Sequence, residues 1–529
     1  MIQRLVGPLA VACLAAALAA STSLAAQQRG GLRGATQIAR VYDAILDARF
    51  DDVPDLLRST CGAAGVRTET RPPTQVCDLL SLVSLWWQIQ LDPLDPSRDT
   101  AFERQANAVV ASMEAWTRAE PSHAEAWFYL GGAYGARSQW RVLRGQVLSA
   151  ARDGKRIKEA LERALALDAS LTDAYFGIGL YHYYADVAPA AVKVMRFLLL
   201  LPGGDKAQGM REMLQARNGG QLLRSEADYQ LHVLYLWYEN APQRARDIVS
   251  ELSGRYPRNP HFPQLLAEIS DTYLHDAATS RRAWEAMLTA AEQDRLALRP
   301  MAEAQARVGL AVQLDRLHET DLALDHLNIV ARAKPTAPYA IAAEVAVLRG
   351  QMLDRLGERA EAETAYREAL AAVTADDPRR VAPRARAGLR RAPRAAATRA
   401  YRLSVEAWRA IERGAYGEAD RLLSESLTLV PGDLVARYRL AQLRAAQNED
   451  AAALAALESL LSERTENMPP AFLGYAMVDL ATRLERLGQR ARAAELYERT
   501  TTLFGADART QATATRALAR LGVGAPLPR

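Results

Sequence analysis

The sequence has little of several things that would mark a special class of protein. Three cysteines in 529 residues exclude a disulfide-rich scaffold. Aromatic residues make up only 7%, and 66 basic residues against 62 acidic ones leave a net charge of +4, too balanced for a dedicated nucleic-acid binder. The chain does have 49% hydrophobic residues, enough for a packed core, so wholesale disorder is excluded. Its bias towards Ala, Leu, Arg and Glu favours helix, in about three domains or one long repeat array.

Motifs of catalysis and metal binding are also missing. None of the seven histidines lies in an HExxH motif, and no Cys/His cluster has the spacing of a zinc site. A phosphate-binding GxxxxGK[ST] loop and a GxSxG nucleophile motif are both absent. His182 is interpreted as a packed core histidine rather than a ligand or a general base. We therefore predict no catalytic, cofactor-binding or metal-binding residue, and an enzyme would need a site built from scattered residues.

Residues 1–25 have the three parts of a secretory signal peptide. Arg4 gives the positive start, residues 5–20 form an apolar run, and Ser23-Leu24-Ala25 is a small-x-small cleavage site. The alternatives are a buried helix or a membrane anchor. A helix that spans the membrane needs about 20 apolar residues, and the run 5–20 is short for that. The sequence thus predicts export, cleavage after Ala25, and a periplasmic or secreted location, with association with the envelope as a further option.

Cleavage at this point would leave two cysteines, Cys61 and Cys77. Thiols of an exported chain usually pair, because that compartment is oxidising. The segment between them contains Gly62, Gly65 and a Pro-Pro pair, which is typical of a loop. A metal site would need more Cys or His nearby. We predict a disulfide that staples the 61–77 loop, worth about 3 kcal/mol in the chain-entropy model.

A helical pattern of small and large residues recurs along the chain. In the clearest unit, 345–370, Gly350 and Gly357 alternate with large residues, and Ala362 and Tyr366 follow at fixed offsets. The units are aligned on the small residue of each second helix. This residue recurs at spacings of 34 to 40 residues, with one longer spacing of 57 residues. It falls at Ala245, Ala283, Ala323, Ala362, Ala419, Ala453 and Ala493.

This pattern resembles the tetratricopeptide repeat, and the overall chain is similar to exported bacterial tetratricopeptide proteins. The resemblance implies an all-α fold, a right-handed superhelical solenoid of antiparallel helix pairs. A local similarity covers 177–209, where Gly177-x-Gly179, Pro189 and Gly204-Asp205 resemble the eukaryotic tetratricopeptide family of inclusion-body-clearance proteins. Neither resemblance implies a particular reaction.

Two interruptions of the period divide the predicted array. Residues 26–375 form an N-terminal array, with inserted helices expected at 137–158 and 189–202. Residues 376–402 hold nine arginines and three prolines, which indicates a basic linker. It is either solvated or an anion-binding strip. A C-terminal array with a short tail occupies 403–529.

The predicted function is that of a non-enzymatic scaffold that binds a peptide or helix of a cell-envelope protein on its concave face. Nucleic acid is not expected as a partner, and the oligomeric state is left open. Aromatic and Arg side chains most often anchor such contacts, and they are dense between 127 and 238. The predicted partner-binding residues are Trp127, Tyr134, Trp140, Arg141, Arg144, Tyr181, Tyr184 and Trp237.

An alternative function uses the apolar run 192–201, interrupted only by Lys193 and Arg196. It is too short to span a bilayer but could be an interfacial helix on a membrane, or a helix buried in the solenoid. With the nearby basic residues, the interfacial helix would make the protein a module associated with envelope lipid or an anionic polymer, through peripheral membrane contact.

Overall fold

The computed structural model describes residues 31–62, 72–187, 203–392, 394–463 and 465–522. Within these ranges the chain forms 24 α-helices and no strand, which confirms the predicted all-α solenoid of helix pairs. Two compact units divide the chain, Met1–Leu234 (unit 1) and Tyr235–Arg529 (unit 2). The predicted signal peptide and the predicted helix at 189–202 lie outside the described residues. In the part of the chain that is described, no helix is long and apolar enough to cross a membrane.

Unit 1 begins with a short helix pair and continues with longer ones. Its helices are α1 (Ala35–Leu46), α2 (Val53–Cys61), α3 (Thr74–Leu91), α4 (Asp99–Ala119), α5 (Ala124–Leu143), α6 (Val147–Leu167), α7 (Ala174–Val187) and α8 (Lys206–Gly219), followed by α9 (Arg224–Trp237), which runs across the boundary of the units. The predicted disulfide is confirmed: Cys61 at the end of α2 is bonded to Cys77 in α3, with their Cα atoms 6.5 Å apart.

Unit 2 continues the series of helix pairs to the end of the described chain. Its helices are α10 (Pro242–Arg255), α11 (His261–Thr272), α12 (Ala277–Glu292), α13 (Arg299–Arg316), α14 (Thr320–Ala333), α15 (Ile341–Leu356), α16 (Arg359–Ala371), α17 (Val381–Arg390), α18 (Ala395–Glu412), α19 (Tyr416–Leu429), α20 (Leu434–Ala446), α21 (Asp450–Ser462), α22 (Pro470–Arg486), α23 (Arg490–Thr501) and α24 (Ala508–Arg520).

Small residues let the paired helices pack closely. Tyr366 of α16 is buried between Gly350 of α15 and Gly388 of α17, and a Cβ atom on either glycine would overlap the tyrosine ring. Six of the seven alanines on which the repeats were aligned have no exposed surface, and Ala283 is the exception. There the neighbouring Trp284 turns inward and packs against Gly309. The repeat in α12 is therefore shifted by one residue.

In the segment predicted to be a linker, 376–402, the described residues include the whole of α17 and the start of α18. Its two described prolines do not interrupt a helix: Pro378 precedes α17 and Pro383 lies in the first turn of α17, where its missing N–H costs nothing. Four of its nine arginines, Arg379, Arg384, Arg399 and Arg402, bond to neighbouring elements. Arg384 makes two hydrogen bonds to Glu344 (2.9 and 2.8 Å), and Arg402 donates to Glu358 at 3.0 Å.

The insertion expected at 137–158 is also absorbed into a regular pair. The extra residues lengthen α5 to 20 residues and α6 to 21, joined by the turn 144–146. Buried Asp153 of α6 fixes this extension, because it accepts two hydrogen bonds from Arg137 (2.9 and 2.7 Å) and one from Arg141 (2.6 Å).

Unit 2 closes on itself, so that its early helix α12 meets its last described helix α24. The carboxylate of Asp276 caps α12 by accepting from the Thr279 N–H at 2.8 Å, and it also accepts from the Ala508 N–H at 2.9 Å. Beside it, Arg282 pairs with Asp507 at 2.7 Å. A cavity, called here the central cavity, lies beside this closure.

Candidate functional site

The partner-binding residues predicted in α5 are held in the packing of unit 1. Trp140 is 3% exposed and donates its indole N–H to Asp99 at 3.0 Å, while its ring lies 5.5 Å from that of Phe102. Arg144 pairs with the same Asp99 at 2.7 Å and donates to the carbonyl of Pro93 at 2.7 Å. This differs from the expectation of exposed anchors: the pair tethers the end of α5 to α4.

The polar groups of Tyr134 and Arg141 also have hydrogen-bonding partners within unit 1. The buried Tyr134 hydroxyl donates to Glu114, and the guanidinium groups of Arg137 and Arg156 lie 5.3 and 5.4 Å from its ring. Burial, followed by the hydrogen bond to Glu114, raises the pKa of Tyr134 to about 12. Arg141 bonds to the buried Asp153 already described.

The other predicted residues of unit 1 are half-buried, and Tyr181 packs beside Gly154 of α6. Trp127 is half-buried and donates to the carbonyl of Pro121 at 3.0 Å. Half-buried Tyr181 and Tyr184 lie beside the rings of His182 and buried Tyr183.

His182 and Trp237 each have a hydrogen-bonding partner within their own unit. His182 is mostly buried, with its Nδ1 2.7 Å from Glu212 of α8. Trp237 belongs to unit 2, is 65% exposed and donates to the Tyr273 hydroxyl at 2.6 Å.

The central cavity of unit 2 is a better candidate site. Its volume is about 560 Å³, within the range of about 300–1,000 Å³ that is typical of ligand pockets. Five helices and the α13–α14 turn supply its lining: Ala278, Arg281, Arg282, Glu285, Leu317, Glu319, Trp408, Tyr438, Arg439, Phe472, Tyr475 and Arg509.

Aromatic side chains form one wall of the cavity. Phe472 of α22 lies at the centre of this wall, with its ring 6.1 Å from Tyr438 of α20 and 6.1 Å from Tyr475. The Tyr438 hydroxyl is anchored by donating to Asp479 at 2.8 Å. Trp408 of α18 and Tyr475 are only half-buried. Such rings offer apolar contact area at small cost in conformational freedom.

Charged groups of both signs line the rest of the cavity, and two of the arginines are already paired. Arg281 bonds to Glu285 at 2.8 Å and to Glu319 at 2.6 Å. Arg282 pairs with Asp507, which holds it at the closure of the unit. These contacts fix both carboxylates of the lining in ion pairs.

Arg439 is the unusual charge of the site. It is 2% exposed and donates to Ser404 Oγ at 2.9 Å and to the carbonyl of His318 at 2.8 Å, both neutral acceptors. Its guanidinium also lies 5.7 Å from the ring centre of Trp408. Burial lowers the pKa of Arg439 to about 10.

His318, at the edge of the cavity, lies in the same positive field. Its ring packs 5.1 Å from Tyr401 and 5.6 Å from Phe472. Burial, and then the charges of Arg439 and Arg355, lower the pKa of His318 to about 3. The imidazole is therefore neutral at ordinary pH. Among the described residues, no group of three or more His, Cys, Asp or Glu side chains is placed to hold a metal ion.

Sequence reasoning did not find this cavity, because its lining comes from positions as far apart as 278 and 509. One local signal was present in the sequence. Arg439 interrupts the small and apolar positions of α20, where burying a charge is costly unless a partner or a ligand compensates it.

The helix pairs and the concave cavity define a helical-repeat protein, and comparison with known proteins agrees. Residues 410–472, from α18 to α22, match the family model of the tetratricopeptide repeat, which confirms the predicted repeat over that segment. The comparison with curated proteins gave no match.

Three solved structures illustrate the similarity. A tetratricopeptide repeat protein from Parabacteroides merdae is 16% identical over 56% of this chain and 98% of its own, with a TM-score of 0.24. A Rap protein in complex with Competence and Sporulation Factor is 13% identical over 91% and 98%, with a TM-score of 0.33. Yeast Tom70 is 12% identical over 79% and 95%, with a TM-score of 0.23. These similarities are too distant to assign a ligand to this chain.

Proposed function

We propose that this protein is an exported, non-enzymatic scaffold whose central cavity in unit 2 binds a segment of a partner protein in the cell envelope. The observation that carries the proposal is the cavity itself. It is concave, is lined by an aromatic wall and arginines, and lies in a unit with a tetratricopeptide segment. Repeat proteins of this architecture commonly bind partners on their concave surface, and aromatic and Arg residues dominate such contacts.

Two features support the envelope location. Residues 1–25 have the composition of a secretory signal, and the Cys61–Cys77 disulfide suits an oxidising compartment. Intact mass spectrometry of the protein recovered from the periplasm is expected to show loss of residues 1–25 and of two hydrogens. A chain that keeps its first 25 residues in the cytoplasm would contradict the location and leave the binding site to be tested separately.

A binding assay tests the site. The mature protein is titrated into a library of fluorescein-labelled eight-residue peptides, and fluorescence anisotropy is measured. We expect Trp408→Ala and Tyr475→Ser to weaken binding about tenfold or more, since both rings line the cavity and are half-buried. Leu487→Ser is the matched control, because Leu487 is 60% exposed and outside the cavity.

The proposal fails if no peptide of the library binds. It also fails if the two cavity variants, shown to be folded by their thermal unfolding, bind as well as the control.

A further inference from the structure

We infer that the segment bound in the central cavity carries an acidic side chain, and that its carboxylate binds beside Arg439. This inference rests on the proposed function and adds the chemistry of the partner. Three observations carry it: the charge balance of the lining, the contacts of Arg439, and the mixture of signs around it.

Two of the four arginines in the lining form no ion pair with a carboxylate of the described chain. The cavity has four arginines and two glutamates, and both glutamates are already bonded to Arg281. Arg282 is paired with Asp507. Within the described chain, Arg439 and Arg509 have no carboxylate within 4.0 Å. The lining therefore holds two arginines that form no direct ion pair with the described chain, although Asp433 and Glu319 act on Arg439 from a longer distance.

The position of Arg439 makes its lack of a counter-ion costly. A buried charge is normally paired, since only a counter-ion and hydrogen bonds recover the large free energy lost when the charge leaves water. Arg439 uses its two terminal nitrogens on the Ser404 hydroxyl and the His318 carbonyl. A guanidinium has five N–H donors, so donors are left for a ligand. A carboxylate bound there would complete a charge-assisted contact in a site sheltered from water.

The mixed lining favours a peptide with an isolated acid over a polyanion. Only Arg439 and Arg509 of the lining are without an ion pair among the described residues, which suits one isolated carboxylate better than the successive phosphates of a nucleic acid. A peptide can place one carboxylate at Arg439 and neutral or apolar groups against Phe472 and Tyr475. Arg509, which is exposed at the start of α24, would attract the same acid from the rim.

The experiment uses the tightest binder from the peptide library and its Glu→Gln or Asp→Asn counterpart. We expect the acidic peptide to bind the mature protein about tenfold more tightly than the neutral one, and this preference to shrink as salt is raised. Arg439→Met is expected to abolish the preference, whereas Arg439→Lys keeps most of it. Arg509→Ala is expected to reduce it, and it remains informative if Arg439→Met fails to fold. Arg367→Ala, an exposed charge on α16 outside the cavity, is the control.

The outcomes separate the two proposals. Equal binding of the acidic and neutral peptides, with loss on Tyr475→Ser, overturns the acidic partner and leaves the proposed function. The acidic partner is also overturned if the preference survives both Arg439→Met and Arg509→Ala. Displacement of the peptide by a ten-nucleotide oligouridylate at equal concentration would assign the site to a polyanion instead. If no peptide binds at all, the proposed function falls, and this inference falls with it.

Discussion

Arg282 and Asp507 form an ion pair across 225 residues of chain, with Nη2 2.7 Å from Oδ1. Asp507 is 6% exposed and also caps α24 by accepting from the Arg509 N–H at 3.1 Å. One carboxylate thus joins the closure of unit 2 to the start of a helix that lines the cavity. The Arg282 side chain therefore belongs both to this closure and to the lining of the cavity.

We predict that Arg282→Ala loosens this closure. Removing a hydrogen-bond partner of a buried charge costs about 1.5–3 kcal/mol, and the buried Asp507 would lose its only described cation. Hydrogen exchange is expected to accelerate at the amides of residues 504–512, with a matching fall in the free energy of unfolding. Arg367→Ala, which removes an exposed ion pair with Glu363, should change both by little, since such pairs are worth about 0–1 kcal/mol. Unchanged exchange in Arg282→Ala would show that the pair does not hold the closure.

Trp140 is expected to behave as a core residue rather than as a binding anchor. Trp140→Ala should lower the free energy of unfolding by about 3–5 kcal/mol, as for other buried aromatic side chains. Trp237→Ala, at a site that is 65% exposed, should cost less than about 1 kcal/mol. Urea unfolding of the two variants checks this. Equal and small effects would return Trp140 to the set of exposed anchors that the sequence suggested.

The buried carboxyl of Glu226 should make the stability of the protein depend on pH. Burial raises the pKa of Glu226 to about 6, although hydrogen bonds from Tyr42, Gln139, Gln230 and Trp87 oppose the shift. Because the pKa of Glu226 is higher in the folded state than in the unfolded state, its protonation favours the folded state. This contribution to the free energy of unfolding is complete below pH 4.5 and is lost as pH rises through 6. Relative to Glu226→Gln, the wild type should therefore lose about 2 kcal/mol of unfolding free energy over that interval. A difference between the two proteins that is constant from about pH 4 to 7 would contradict this.

His318 should act in the opposite direction. Its folded-state pKa is lowered to about 3, so the unfolded chain takes up the proton first as pH falls below 6.5. Stability is then lost by about 1.4 kcal/mol per pH unit between about 6 and 4. His318→Asn removes this slope and suits the left-handed backbone at that position, where φ is 57°. The test is to measure the free energy of unfolding of the wild type and of His318→Asn at several pH values. If the two free energies change with pH in parallel, His318 is not the source of the slope.

The sequence predicts the repeat well because its signal is local. Ala362, Ala419 and their counterparts mark where two neighbouring helices touch, and that contact depends on residues within one repeat. Ala283 shows the limit, since the adjacent Trp284 finds more space against Gly309 and shifts the phase. The disulfide was also predictable, because only two cysteines follow the predicted signal.

The site was not predictable in the same way. In a sequence, a stretch rich in aromatic residues gives the same signal whether the rings are buried in the core or exposed on the surface. Trp140 and Tyr134 belong to the core because Asp99 and Glu114 lie opposite them and accept their hydrogen bonds. The 376–402 segment shows a related problem, since Arg384 and Arg402 bond to Glu344 and Glu358, about 40 residues away in the chain. The cavity depends on a closure across 225 residues, which no local pattern reveals.

The central claim is that the unit 2 cavity receives a partner segment, and site-specific photocrosslinking tests it most directly. A benzophenone amino acid is placed at position 475, on the aromatic wall, and in a second protein at position 487, which is exposed and outside the cavity. Each protein is irradiated with the tightest binder from the peptide library, and the adducts are sequenced by mass spectrometry. We expect a peptide adduct from position 475 that unlabelled peptide competes away, and none from position 487. Crosslinking from position 487 alone, or equally from both positions, would contradict the claim.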